Sequence, residues 1–141
     1  MYENGDGVAR DPAEASRCYR RMADLGYPPG QWKTGLRYAS GEGVEKDPAE
    51  ALKWHRKAAD QGYAYAEFAV GQMYENGLGV AKDDIEALAW YNLSPKSGGS
   101  DETNHRDRLE RVLGPEAAQQ ARRRADELRK EIQARNPPPA N

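Results

Sequence analysis

One cysteine, one phenylalanine and two histidines are all that 141 residues supply of three types that often carry chemistry or fill cores. A lone Cys18 excludes an internal disulfide framework, and without a CxxC or a His/Cys cluster there is no zinc-ligand spacing. No apolar run approaches the roughly 20 residues of a membrane-spanning helix, so no membrane insertion is expected. An excess of one charge is missing too. The chain carries 21 basic and 23 acidic groups, 12 and 15 of them in residues 1–99 and 9 and 8 in residues 100–141. So even a balance offers no general nucleic-acid surface, and no nucleic-acid partner is expected.

Apolar residues are scarce as well, at 38% with a mean hydropathy of −1.03. Disorder is excluded by what the few aromatics do, because they recur in register. Tyr2, Tyr38 and Tyr74 stand thirty-six residues apart, as do Gly5, Gly41 and Gly77; Gly7, Gly43 and Gly79; Val8, Val44 and Val80; Asp11, Asp47 and Asp83; and Ala15, Ala51 and Ala87. A period of this length marks stacked helical hairpins, which bury a thin core between neighbours and fold with less apolar residue than a globule. The expected fold is all-α, a solenoid of antiparallel helix pairs.

The loop inside each hairpin is specified locally. Gly41 and Gly77 stand where a helix must stop and reverse, a place for positive φ. Asp11, Asp47 and Asp83 follow, with a proline next in two of the three copies and Glu14, Glu50 or Glu86 three places on. That order predicts an aspartate N-cap, proline at the first helical position and a glutamate reaching back. A GxG loop can also cradle phosphate, but these follow helices, lack a third glycine and have no GK[ST], so no nucleotide or other cofactor is expected.

Along the chain, helices are expected at about 12–25, from Pro29 through Tyr38, and at 48–61, 65–76, 84–93, 101–113 and 115–134. Gly35 and Gly71 sit mid-helix, where glycine costs about 1 kcal/mol relative to alanine, which predicts close helix approach. Cys18 takes the place of Trp54 and Trp90, and His55 that of Tyr19 and Tyr91; both are read as core positions, the histidine donating one hydrogen bond. Ser94-Pro95 and the SPKSGGSD segment should break the stacking. Leu109, Val112 and Leu113 form one apolar side, and Ala118, Ala121, Ala125, Leu128 and Ile132 another. Arg122, Arg123 and Arg124 alternate with acids and read as a solvated face. The expected organisation is 1–98 repeats, 99–136 capping helices and 137–141 a Pro-rich tail. Met1-Tyr2-Glu3-Asn4 matches the end of a first helix. The first repeat is therefore expected to be truncated, the chain a fragment, and that end a place for self-association.

The unit A-x3-[LV]-G-x2-Y-x2-G-x-G-V-x2-D-x3-A-x2-[WY]-[YH] is carried here by Ala66, Val70, Gly71, Tyr74, Gly77, Gly79, Val80, Asp83, Ala87, Trp90 and Tyr91. It resembles the Sel-1-like repeat family of the tetratricopeptide superfamily; Gly30 and Thr34 depart from it in the second copy. The resemblance implies a right-handed superhelix whose concave side binds a protein or peptide partner in adaptor and scaffold proteins, without catalysis. A β-lactam-linked, disulfide-rich branch does not fit a single cysteine and no SxxK. With Ala66, Val70, Gly71 and Tyr74 assigned to packing, the expected binding positions are Lys33, Leu36 and Arg37 and their mates Ala69, Gln72 and Met73. The alternative is a small ligand-binding module or hydrolase using the groove through Tyr, Trp and His.

Overall fold

A computed structural model describes residues 11–93 and 100–136. Among these residues there are seven α-helices and no strand: α1 Pro12–Asp24, α2 Pro28–Ser40, α3 Pro48–Ala59, α4 Ala64–Asn76, α5 Asp84–Leu93, α6 Ser100–Leu113 and α7 Pro115–Arg135. The thirty-six-residue register outlasts the sequence match, since α2, α4 and α6 begin at 28, 64 and 100. Each helix from α1 to α6 packs on the next in the chain, and α7 packs chiefly on α5. The expected truncation of the first repeat, the expected break at Ser94-Pro95 and the Pro-rich tail lie outside the described residues.

Loop chemistry sets the helix ends. Gly41 (φ 78°) and Gly77 (φ 67°) cap α2 and α4 in the left-handed region, their N–H groups donating to the carbonyls of Arg37 and Met73. Asp11 Oδ1 accepts from the backbone N–H of Ala13 and Glu14, Asp47 Oδ1 from Glu50 N at 3.2 Å, and Asp83 Oδ1 from Glu86 N at 3.0 Å. Only half of the expected capping box forms. The N-cap N–H that the glutamate should satisfy already donates across the loop, from Asp47 to Tyr38 O at 2.9 Å and from Asp83 to Tyr74 O at 3.0 Å. Glu86 is thereby free to accept from Arg124 of α7 at 2.8 and 3.2 Å. This bidentate pair makes Arg124 a tie between helices rather than part of a solvated face.

Close approach explains the mid-helix glycines. A Cβ at Gly35 would stand 2.6 Å from the His55 ring, and one at Gly71 would stand 2.5 Å from the Tyr91 ring. Each ring of a second helix therefore lies directly on the backbone of its own first helix. Successive hairpins meet through Gly79, whose Cβ would come 2.5 Å from Pro48 O at the start of the preceding second helix. They also meet through cations on indoles: Arg20 lies 4.9 Å from the Trp54 ring centroid, and Arg56 lies 4.9 Å from that of Trp90. Arg20 and Arg56 are one repeat apart, as are the two tryptophans, so the contact repeats with the fold.

On α7, Ala118 and Ala121 join Leu88, Tyr91 and Leu109, while Ala125 and Leu128 join Ala89, Trp90 and Val70. Val112, expected on the buried side of α6, is 73% exposed. Leu109 and Leu113, four apart, align along the helix toward the core, and a residue three on from Leu109 is turned aside from that line.

The half-formed box separates two substitutions. Asp47→Ala should cost about 0.5 to 2 kcal/mol in thermal or urea unfolding. Glu50→Ala should stay within about 0.5 kcal/mol, because its carboxylate closes no cap. Equal losses from the two would restore the reciprocal box.

Candidate interaction surface

The first helices of the hairpins are buried over a wide arc. On α2 the buried residues are Gly30, Gln31, Thr34, Gly35 and Arg37, and on α4 they are Ala66, Glu67, Ala69, Val70, Gly71 and Met73. Both arcs follow from position in the stack, since α2 lies between α1 and α3, and α4 lies between α3 and α5. A helix packed on two sides buries more than one amphipathic stripe.

That geometry divides the six expected binding residues. Leu36 is open at 38% exposure, and Lys33 and Gln72 are half-buried. Arg37, Ala69 and Met73 are buried, at 5%, 8% and 5% exposure, and do not belong to an open face. Positions 37, 69 and 73 fall within the wide buried arcs of helices packed on two sides. Arg37 is turned inward: its guanidinium lies 5.4 Å from the Tyr19 ring centroid and pairs with Glu42 at 2.8 Å. Lys33 lies 5.2 Å from the Trp32 centroid and 5.8 Å from that of Tyr19.

Sequence reasoning missed the rings beside these residues as a surface feature. Trp32 stacks on Tyr65 with centroids 5.1 Å apart and planes at 24°. Tyr63 leans on both, at 5.9 Å and 56° to Trp32 and at 5.6 Å and 57° to Tyr65. Further along, Phe68 meets His105 of α6 edge-on at 5.4 Å. The signal was present in the same period, since Tyr27 and Tyr63, and Trp32 and Phe68, each stand thirty-six apart. Among the described residues, no group of three or more His, Cys, Asp or Glu could hold a metal ion.

Two titratable side chains, Glu67 on α4 and His55 on α3, are buried. Glu67 occupies the register of Gln31, and burial pushes its carboxyl up to about 7 against the attraction of Arg129. His55 is pushed down to about 4 by burial, and its Nδ1 has no hydrogen-bond partner among the described residues. The expected hydrogen bond from this ring is not seen at Nδ1; Tyr91, in the same slot, is longer and donates to Glu75 at 2.7 Å.

These shifts act in opposite directions. A raised carboxyl favours the folded state while protonated, so its contribution is lost as pH rises from the usual 4.5 through about 7. A depressed imidazole disfavours protonation in the fold, so stability falls as pH drops from 6.5 towards 4. Glu67→Gln should raise the melting midpoint at pH 8 and leave it nearly unchanged at pH 4.5. His55→Phe should flatten the acid limb of the same curve. Arg37→Glu should lower the midpoint by placing a second carboxylate beside Glu42, whereas Lys33→Glu should move it little; equal effects would contradict the burial of Arg37.

Comparison with known proteins gives the context for this surface. The Sel1 repeat family matches residues 1–27, 28–63 and 64–94. No curated protein matches the chain. Among solved structures, a protective antigen present in uropathogenic Escherichia coli strains and displaying an SLR fold is similar at 30% identity over 92% of this chain, with a TM-score of 0.78. A Sel1 repeat protein from Oxalobacter formigenes is 35% identical over 74% of the chain, with a TM-score of 0.68. The chain spans 29% and 43% of the length of these two proteins. With three consecutive repeats matched over more than half its length and the helical stack shared with solved relatives, the chain belongs to the Sel1 repeat family.

Proposed function

We propose that this chain is a non-catalytic scaffold whose open face on α2 and α4 binds an extended segment of a protein partner. Sel1 repeat proteins are generally protein–protein interaction scaffolds. The observation that carries the reading is the run of apolar and aromatic groups on adjacent first helices, with Leu36 on α2 and Tyr65 on α4 exposed and Trp32 and Phe68 half-buried beside them. Stacked helices present such positions at regular spacing, which suits the side chains of an extended peptide. In the right-handed superhelix this face is the concave one, with residues 1–98 supplying the repeats and 99–136 closing the stack. Lys33 at one edge favours an acidic residue in the bound segment, and Leu36 favours an apolar one.

A random peptide library displayed on phage and panned against the protein tests this. Enriched peptides should lose about tenfold or more in affinity on Leu36→Glu or Gln72→Glu, measured by fluorescence anisotropy. Lys53→Glu, at an exposed site on α3, should leave affinity within about twofold. Retained affinity in both face variants would remove α2 and α4 as the binding surface.

A further inference from the structure

We propose that the joint between α1 and α2 holds a binding site for a phosphate group, free or as a monoester. A cavity of about 190 Å³ lies there, lined by Ser16, Arg17 and Arg20 of α1 and by Thr34, Arg37 and Tyr38 of α2. Gly43 of the following loop completes the wall at close quarters, since a Cβ on it would stand 2.5 Å from Ser16 Oγ. Pockets for drug-sized ligands run from about 300 to 1,000 Å³, so this one admits only a small group.

The repeat singles this joint out. One period on, positions 16, 34 and 37 become Leu52, Val70 and Met73, an apolar set. At the first joint the same positions are Ser16, Thr34 and Arg37, each at most 6% exposed. Polar side chains at buried positions cost stability unless they gain partners. Ser16 Oγ donates to Glu42 O at 3.1 Å, whereas the Thr34 hydroxyl has no hydrogen-bond partner among the described residues.

Charge then selects the ligand. Three guanidinium groups share the wall, and among the described residues no acidic side chain does. Each arginine has one carboxylate beside it: Glu14 by Arg17, Asp24 by Arg20 at 3.2 Å and Glu42 by Arg37 at 2.8 Å. Arg20 also donates to Tyr38 Oη at 3.2 Å, which fixes it against α2. A phosphate monoester presents three strong acceptor oxygens and a charge of about −1.5 to −2 at neutral pH. That matches three cations with hydroxyls beside them better than the two oxygens and single charge of a carboxylate do. The inference goes beyond the partner-binding reading and does not depend on it, because none of the six lining residues is among those varied to test the open face.

The test is a titration of the full chain with inorganic phosphate near neutral pH, followed through the arginine Nε–Hε resonances in nuclear magnetic resonance. Those of Arg17, Arg20 and Arg37 should shift together and saturate, while that of Arg129 stays in place. Arg17→Gln, at an exposed side chain, should weaken binding several-fold. Combined Ser16→Leu, Thr34→Val and Arg37→Met substitution, which writes the second joint into the first, should abolish binding with cooperative unfolding retained; should that variant not fold, Arg17→Gln decides alone. A capped tripeptide of alanine, phosphoserine and alanine separates the sources. Tighter binding of this peptide than of inorganic phosphate supports the site with a phosphorylated chain as its ligand, and the reverse order supports it with a free ion. Absence of a saturable shift, or affinity unchanged by Arg17→Gln, would overturn the proposal. A glutamate tripeptide binding as tightly as the phosphoserine one would overturn it equally, by making the site one for carboxylates.

Discussion

The contact between an aromatic ring and a bare backbone holds each hairpin together. His55 on Gly35 and Tyr91 on Gly71 let the two helices of a pair approach until ring and main chain touch. A mid-helix glycine costs about 1 kcal/mol in propensity, and the close packing of a large ring offsets it. Helix spacing within the pair then fixes where the loop can cross, and so where Asp47 and Asp83 reach the carbonyls of Tyr38 and Tyr74.

Between pairs the constraint is of the same kind. Gly79 sits on the first turn of α3, and arginine planes of one hairpin lie over indoles of the next. Such cation–aromatic contacts are worth roughly 0.5 to 1 kcal/mol each at exposed sites, so their weight lies in setting register more than in stability. The faces left over after both sets of contacts are the open positions of α2 and α4, and the candidate surface is a residue of the packing.

How much of this was legible follows from how far each feature reaches along the chain. Caps, turns and buried stripes depend on neighbours three or four residues away, and Asp47, Gly77 and Leu128 all stand where the periodicity placed them. Arg37 and Glu86 were not legible because their partners belong to other helices: Tyr19 on α1 lies by Arg37, and Arg124 on α7 takes Glu86. The ring cluster at Trp32 is legible only when two repeats are overlaid, since no single helix contains it.

The arginine–indole ladder has a direction. Arg20 and Arg56 reach forward to Trp54 and Trp90, whereas position 92, next in the series, is asparagine, and position 126 is aspartate. A gene duplication that copied residues 28–63 would insert a unit matched at both edges, presenting an indole to the cation before it and a cation to the indole after it. Copying residues 64–99 would set Asn92 against the new indole and leave that joint without its register. Copying the second hairpin therefore keeps an arginine over an indole at both joints, whereas copying the third loses that contact at the new joint.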